Sequence, residues 1–265
     1  MIWIYDLPQW LLCVLVLAAY VVTSLIGSQL LRPWVRRRAN DQPEHNDLVG
    51  NFLSAGGVLY GLLLGLVAVG AWQNHSNAEA IVTREATRIA ALYRDFAVYP
   101  EPHRQELVSL LEEYVRFVIE DAWPAQQRGE VNVGGTPRIS AIFQRLSRFE
   151  PASPGQVTLH QEALRELNAF YEARRERLDA VNSGLPESLW YVVVAGSALM
   201  IGVTWLFFIP VRSLQMSLTL FLAISMGLMV FLTVSMDHPF RGRTGVSAAP
   251  YAVVRDQLLR TNAVE

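Results

Sequence analysis

The chain has 265 residues, of which 52% are hydrophobic, and its formal net charge at pH 7 is −2. A net charge this close to zero excludes the broad basic field with which nucleic-acid-binding proteins attract their partner. Cys13 is the only cysteine, which excludes an intrachain disulfide and a metal site built from several cysteines.

Four uncharged apolar stretches predict membrane-spanning helices. A helix needs about 20 mainly apolar residues to cross a bilayer core of about 30 Å, whereas an open strand in lipid leaves backbone groups unpaired. The stretches are Trp10–Leu31, Gly50–Trp72, roughly Leu189–Ile209 and roughly Leu214–Met236. A buried soluble helical core is disfavoured by four runs of this length. We therefore expect a multi-pass membrane protein, of a bacterial inner membrane.

Arginines near the span ends predict an orientation. One group lies after the first span and between the third and fourth, and consists of Arg32, Arg36, Arg37, Arg38 and Arg212. The positive-inside tendency places that face in the cytoplasm. An opposing group follows the fourth span, and consists of Arg241, Arg243, Arg255 and Arg260. The balance favours both termini and the region between spans two and three on the outer face.

Residues 73–186 predict a helical domain in water, because they carry 13 arginines and 16 acidic residues and their apolar residues recur with helical period. No Pro or Gly lies between Trp72 and Pro100, so the second span is expected to continue as one helix from Gly50 to about Val98, about 73 Å long. A helix from about His103 is expected to end at Trp123-Pro124. A short helix follows, and Ser153-Pro154 is predicted to begin a long one.

The fold class predicted from these elements is all-α: a four-helix transmembrane unit with an amphipathic helical bundle inserted between spans two and three. The expected domains are a first transmembrane hairpin (1–72), a helical aqueous domain (73–186), a second transmembrane hairpin (187–236) and a C-terminal tail (237–265).

Small residues follow one continuous face of the second span. They are Gly50, Ser54, Gly57, Gly61, Gly65 and Ala68. Small residues let helix backbones approach closely in lipid, where packing contacts drive association. This face is predicted either to pack on another span of the same chain or to meet a neighbouring subunit or line a narrow pore.

Two polar clusters flank the spans. On one side, Asn46 or Asp47 is a natural N-cap of the second span, and the alternative is an ion or proton site that includes an Asp47–Arg212 pair. This first cluster is His45, Asn46, Asp47 and Arg212. On the opposite side a second cluster is predicted from His75, Asp237 and His238. Histidines without a fixed spacing are weak indicators of a metal site.

The sequence shows no enzyme motif: no HExxH, GxSxG, Walker loop or Cys/His metal spacing. We therefore expect no enzyme, no metal and no cofactor. The span interiors contain no ionisable residue, which disfavours a proton-coupled pump or a carrier of charged substrates. A channel remains compatible, because pores also use backbone groups, hydroxyls and hydrophobic constrictions.

Several short segments resemble the bacterial bestrophin-like family of domains of unknown function. The segments are His45-Asn46-Asp47 with Gly50, Gly57-Val58-Leu59-Tyr60-Gly61, Trp72 with Ala78-Glu79, Arg84-Glu85 with Ala91-Leu92-Tyr93, Trp123-Pro124, and Asp237-His238-Pro239-Phe240 with Gly242. The resemblance implies a relation to bestrophins, which are oligomeric anion channels with a helical aqueous domain. The acidic clasp of calcium-gated bestrophins is not apparent here.

The expected function is an oligomeric pore or channel, with the bilayer, further copies of the chain and small anions as partners. The alternative is a non-enzymatic sensor or scaffold, in which the long helix transmits movement to a partner protein.

Overall fold

The computed structural model of the protein describes residues 4, 5, 7–41, 44–242 and 245–262, without the side chains of residues 40, 41 and 258–262. Two of the arginines used to predict the orientation lie outside the described residues, Arg243 entirely and Arg260 with its side chain. The predicted all-α class is confirmed, since the described residues contain helices and no strand.

The helices are given in chain order. They are α1 (Gln9–Asp41), α2 (His45–Phe96), α3 (His103–Phe117), a π-helical segment (Val118–Ala122), α4 (Trp123–Gln127), α5 (Gly135–Ser147), α6 (Pro154–Ala180), α7 (Glu187–Trp205), α8 (Arg212–Asp237) and α9 (Ala249–Asn262).

Four of these helices, α1, α2, α7 and α8, are long and apolar enough to cross a membrane, and they are candidate spans at the four predicted places. Helix α2 is one uninterrupted helix of 52 residues, about 78 Å at 1.5 Å per residue. Its continuation past Trp72 is therefore confirmed, and it ends at Phe96, two residues before the predicted Val98.

The chain divides into two compact units. The first unit contains residues up to Asn74 and Gly184–Asp237, and the second contains His75–Ser183 and the described residues from His238 onward. In the first unit, α1 packs along α7 and α8. Its small buried cluster consists of Tyr60, Leu64, Val67, Val193 and Val230.

The second unit has a larger core, built from the apolar stripes of α3, α5 and α6 and from the second half of α2. Ile89, Leu111, Ile142 and Phe170 are fully buried there. The residues predicted as a C-terminal tail also contribute. Phe240 and Tyr251 lie edge-on against the Trp123 ring, with centroids 5.9 Å and 5.7 Å away.

The predicted stop at Trp123-Pro124 is wrong. The chain stays helical through the π-helical segment into α4, and the Trp123 amide donates to the Val118 carbonyl, five residues back. A proline ring in a regular α-helix collides with the carbonyl four residues earlier. The wider π turn in front of Pro124 accommodates the ring, and helical geometry resumes.

The predicted start of α6 is confirmed. Ser153 is extended, with φ −136° and ψ 156°, and its hydroxyl accepts a hydrogen bond from the Gln156 amide. Pro154 occupies the first turn, where its missing N–H costs nothing.

Candidate functional site

The small-residue face of α2 is open within the chain. A Cβ added to Gly57, Gly61 or Gly65 would meet no atom of the described residues within 4 Å, apart from its own helical backbone. At Gly50 the nearest atom would be in the Phe207 ring, 3.7 Å away. Within the described residues, no other span therefore packs closely on Gly57, Gly61 or Gly65, and which alternative holds for the whole face stays a prediction.

The central part of this face forms one wall of an open groove of about 260 Å³ between α2, α7 and α8. Two hydroxyls in the wall are already bonded to their own helices, Thr204 to the Ile201 carbonyl and Ser225 to the Phe221 carbonyl. The groove therefore offers apolar surface rather than free polar groups. Its lining includes Leu53, Gly57, Gly61, Met200, Leu222 and Met226.

A row of exposed apolar side chains runs beside the small-residue face. Each member follows one small residue in sequence, and neighbouring residues on an α-helix point about 100° apart. The small face and the apolar row are thus two adjacent faces of α2. The row consists of Val58, Leu62, Leu66 and Val69, with exposures of 72%, 64%, 65% and 48%.

The glycines that pack inside the first unit are different ones. A Cβ on Gly27 of α1 would run into the Trp205 indole, and a Cβ on Gly196 of α7 would run into the Tyr60 ring. Each is a single glycine outside any repeat, so its packing role is not visible in the sequence. These positions bring α1 and α2 close to α7.

A hydroxyl network lies between α1, α2 and α7. Tyr20 donates to the Ser197 hydroxyl over 2.6 Å, and the Tyr60 hydroxyl lies 2.6 Å from the same oxygen. Tyr60 also donates to the Val193 carbonyl over 2.8 Å. The sequence did not indicate this network, because its partners are more than 130 residues apart.

His45 and Asn46 hold the connection between α7 and α8. The Asn46 carboxamide donates to the Phe208 carbonyl over 2.7 Å and accepts from the Phe208 amide over 3.1 Å. His45 Nε2 lies 2.8 Å from the Leu206 carbonyl. The prediction of Asn46 or Asp47 as the N-cap is wrong, because α2 begins at His45 and both lie in its first turn.

Successive carbonyls of this connection accept side-chain hydrogen bonds. Gln215 donates to the Phe207 carbonyl, and Arg32 donates to the carbonyls of Ile209 and Pro210. Backbone groups outside regular helices need such partners wherever water is excluded. The arrangement favours a structural role for His45 and Asn46, while an ion or proton site at this face stays a prediction.

The expected Asp47–Arg212 pair is absent from the ion pairs of the described residues. Arg212 donates instead to the Gln29 side chain over 3.3 Å. Asp47 is exposed in the first turn of α2, where a carboxylate is stabilised by the helix dipole.

Asp237 closes α8 as a buried acceptor. One carboxylate oxygen accepts from the Leu185 amide over 2.6 Å, and the other accepts from the Trp190 indole over 3.1 Å and from the Tyr5 hydroxyl over 2.6 Å. A buried carboxyl needs hydrogen-bond partners, and these donors supply them.

The other two members of the predicted opposite-face cluster belong to the second unit. There, His75 lies 3.8 Å from Glu79. His75, Asp237 and His238 as one site stay a prediction. No group of three or more metal-ligating side chains occurs among the residues that the structure describes.

The second unit contains a buried ion pair that the sequence did not indicate. Arg177 donates to both oxygens of Glu85, over 2.6 Å and 3.3 Å, and Tyr114 donates to Glu85 over 2.7 Å. Both charged side chains are almost fully buried, 1% and 0% exposed. Burial alone would lower the pKa of Arg177, but Glu85 raises it well above its ordinary value, so Arg177 stays charged.

Comparisons with known proteins agree with this architecture. The bestrophin-like domain matches residues 18–251. No curated protein matches the chain. Two solved structures of point variants of a bacterial bestrophin homolog from Klebsiella pneumoniae are similar in fold. One has a TM-score of 0.66 and 11% sequence identity over 93% of this chain and 99% of that chain.

The second variant has a TM-score of 0.66 and 12% identity, over 94% of this chain and 98% of that chain. A further crystal structure, described as a membrane protein, has a TM-score of 0.65 and 13% identity over 94% and 97% of the two chains. Identities this low show a shared fold. The domain match covers most of the sequence, and the chain therefore belongs to the bestrophin-like family.

Proposed function

We propose that the protein assembles with further copies of itself into a membrane pore for small anions, with α2 lining the axis. The observation that carries this proposal is the open face at Gly57, Gly61 and Gly65, which no described residue of the same chain covers. In this proposal residues 73–186 form a helical domain in water.

Assembly is supported by the shape and chemistry of the open groove. A face of small residues allows a second helix to approach closely, and packing contacts are the main source of helix association in lipid. Membership of the bestrophin-like family agrees with a homo-oligomer.

The two adjacent faces of α2 suit two different neighbours in a ring of helices. A helix in such a ring turns one face to the adjoining subunit and another, roughly a quarter-turn away, to the axis. The small-residue face would meet the neighbour, and the row of Val58, Leu62, Leu66 and Val69 would face the axis. A row of this kind forms a hydrophobic constriction that gates by wetting and drying.

The anion preference rests on family membership. The span interiors lack ionisable residues, so the site does not select by a fixed charge, and a weakly hydrated anion crosses an apolar constriction at lower cost than a strongly hydrated cation.

The test is ion flux through purified protein in liposomes. In a Cys13→Ser background, a charged thiol reagent should block flux through Leu62→Cys, because that side chain is in the water path. Leu199→Cys on α7, also exposed at 68%, should be insensitive if it faces lipid. Absence of flux for any anion or cation at every voltage and pH would overturn the proposal.

Assembly is tested separately. Gly61→Leu should shift the particle to a smaller mass, because the larger side chain separates the helices. Ala19→Leu introduces the same side chain at an exposed position of α1 and serves as the control. An unchanged mass for Gly61→Leu would move the interface away from this face.

The sensor or scaffold alternative rests on the length of α2, 52 residues in one helix. It predicts a stoichiometric partner protein that co-purifies with the chain and no ion flux in liposomes. Flux with the Leu62→Cys sensitivity described above would contradict it.

A further inference from the structure

A cluster of arginines lines an open groove of the first unit. The groove has a volume of about 520 Å³ and no acidic side chain in its lining. None of its four arginines takes part in an ion pair within the described residues. The lining consists of Gln29, Arg32, Pro33, Arg36, Arg37 and Arg212.

Two of the arginines are held in place by their own chain. Arg32 donates to the Ile209 and Pro210 carbonyls, each over 3.3 Å, and its guanidinium lies 5.9 Å from the Phe208 ring centre. Arg212 donates to Gln29 over 3.3 Å. All three bonds end on neutral groups, so they fix the direction of the two guanidinium groups and leave their positive charge uncompensated.

The other two arginines are unoccupied. Arg36 and Arg37 are exposed, and neither makes a hydrogen bond or an ion pair in the described chain. Each guanidinium carries five N–H donors in a planar fork that matches the oxygens of a phosphate. The groove therefore presents a converging set of donors that can bind one phosphate group with two or more arginines.

The surroundings of the groove place it at the depth of lipid headgroups. Trp34 lies on α1 among these arginines, 49% exposed, and Arg38 packs on its ring at 4.7 Å. Tryptophan side chains concentrate at the membrane–water interface. On the apolar side, Leu30, Val211 and Leu214 are exposed by 71%, 57% and 50%, as expected for contact with acyl chains.

From these observations we propose that the groove is a binding site for the phosphate headgroup of an anionic phospholipid in the surrounding leaflet. The arginines bind the phosphate, while Leu30 and Leu214 contact the upper part of the acyl chains. A free phosphate ion shares the first interaction and not the second, and the exposed apolar border therefore favours the lipid. This site is independent of whether the protein conducts ions.

The experiment compares lipid retention by the purified full-length protein. The wild type, Arg36→Gln/Arg37→Gln and the control Arg165→Gln/Arg175→Gln are incubated with phosphatidylglycerol or phosphatidylcholine in detergent, and bound lipid is counted by native mass spectrometry. Arg36 and Arg37 make no bond to the described residues, so their loss should not unfold the protein. The control removes equal charge from the exposed surface of α6, where Arg165 and Arg175 are 75% and 77% exposed.

The expected result is a preference of the wild type for phosphatidylglycerol that falls about fivefold for each arginine removed, or about 25-fold in the double variant. The control variant should keep the wild-type preference. Equal retention by all three proteins would overturn the proposal. A thermal stabilisation by inorganic phosphate alone, with the same dependence on Arg36 and Arg37 and no effect of phosphatidylglycerol, would assign the groove to a soluble ion instead and would also overturn it.

Discussion

The two units of this chain are stabilised by different means. Among the residues that the structure describes, the buried cluster of the second unit contains 27 side chains, including Tyr114, Phe170 and Tyr251. The corresponding cluster of the first unit contains five, and many leucines and valines of the first unit are exposed. Apolar exposure of this extent would destabilise a protein in water, and it is the expected surface of a protein in lipid.

The difference shows what replaces the hydrophobic effect when the solvent is itself apolar. The second unit gains stability by removing apolar area from water. The first unit has no such gain between helices, and it is held by close approach at Gly27 and Gly196 and by hydroxyl bonds through Ser197. The same substitution type should therefore have unequal effects in the two units.

The largest effect is expected in the second unit, at the buried ion pair. Arg177→Met leaves the Glu85 carboxyl buried and without its cation, which should cost about 3–5 kcal/mol of unfolding free energy. Hydrogen exchange measured on peptides of α3 and α6 should show the loss, because it reports the stability of this unit alone.

The double variant Glu85→Leu/Arg177→Met serves as the control for this prediction. It removes both charges and should recover most of the lost stability, less a smaller cost for the Tyr114 hydroxyl, which loses its acceptor. Equal destabilisation by the single and double variants would show that packing volume, rather than the unpaired charge, decides stability here.

A smaller effect is expected from bulk added between the membrane helices. Gly27→Val places methyl groups where the Trp205 indole lies, and overpacking of this kind typically costs about 1–3 kcal/mol. Gly57→Val is the matched control in the same unit, because a Cβ there meets nothing. Thermal unfolding of each variant in detergent, at a concentration where the particle is monomeric, distinguishes them. Equal midpoints would contradict the assignment of Gly27 as a packing position.

The hydroxyl network should contribute less to the unfolding free energy than the packing at Gly27. Tyr60→Phe keeps the ring against Gly196 and removes the bonds to Ser197 and to the Val193 carbonyl. Hydrogen bonds between membrane helices are worth about 0.6 kcal/mol on average and about 1.7 at most. Because Tyr20 still donates to Ser197, we expect a loss near the average, measured by steric trapping or unfolding in mixed micelles. A loss above 3 kcal/mol would show that the network acts as one unit.

The elements predicted correctly from the sequence are those that depend on local signals. Span length and hydropathy identify α1, α2, α7 and α8, and the lack of glycine and proline after Trp72 predicts the length of α2. The start of α6 is set by Ser153 and Pro154, whose side chain and ring act within one turn. Signals of this kind need no knowledge of the tertiary fold.

The features that escaped prediction depend on residues far apart in the sequence. Asn46 is of a residue type that often caps helices, but its carboxamide is hydrogen-bonded to the backbone of Phe208, 162 residues away in the sequence. Glu85 and Arg177 are 92 residues apart, and each alone is one more charge on an amphipathic helix. A glycine repeat predicts a contact face but not the helix that contacts it. The sequence alone therefore could not show that Gly27 packs within the chain while the repeat from Gly57 to Gly65 is open.

The smallest effect on stability is expected from a change of pH, and it concerns the second unit. His160 Nδ1 lies 2.9 Å from the Tyr99 hydroxyl, and burial lowers the pKa of His160 below its ordinary 6.5. A lowered pKa in the folded state means that the unfolded chain binds the proton more readily. The stability from neutral His160 is therefore fully present above pH 6.5 and is lost as pH falls through the folded-state pKa. Burial raises the pKa of Tyr99 to about 12, so Tyr99 stays protonated across this range and the acid loss belongs to the histidine.

The variant His160→Asn tests this assignment. Asparagine offers an acceptor near the position of Nδ1 but does not titrate, so His160→Asn should reduce the difference between the unfolding midpoints at pH 7.5 and pH 5. His75→Asn removes a histidine elsewhere in the same unit and should leave the difference in place. If His160→Asn keeps the full wild-type acid loss, the loss arises from other groups, and the contribution of the Tyr99–His160 bond to the second unit does not depend on pH.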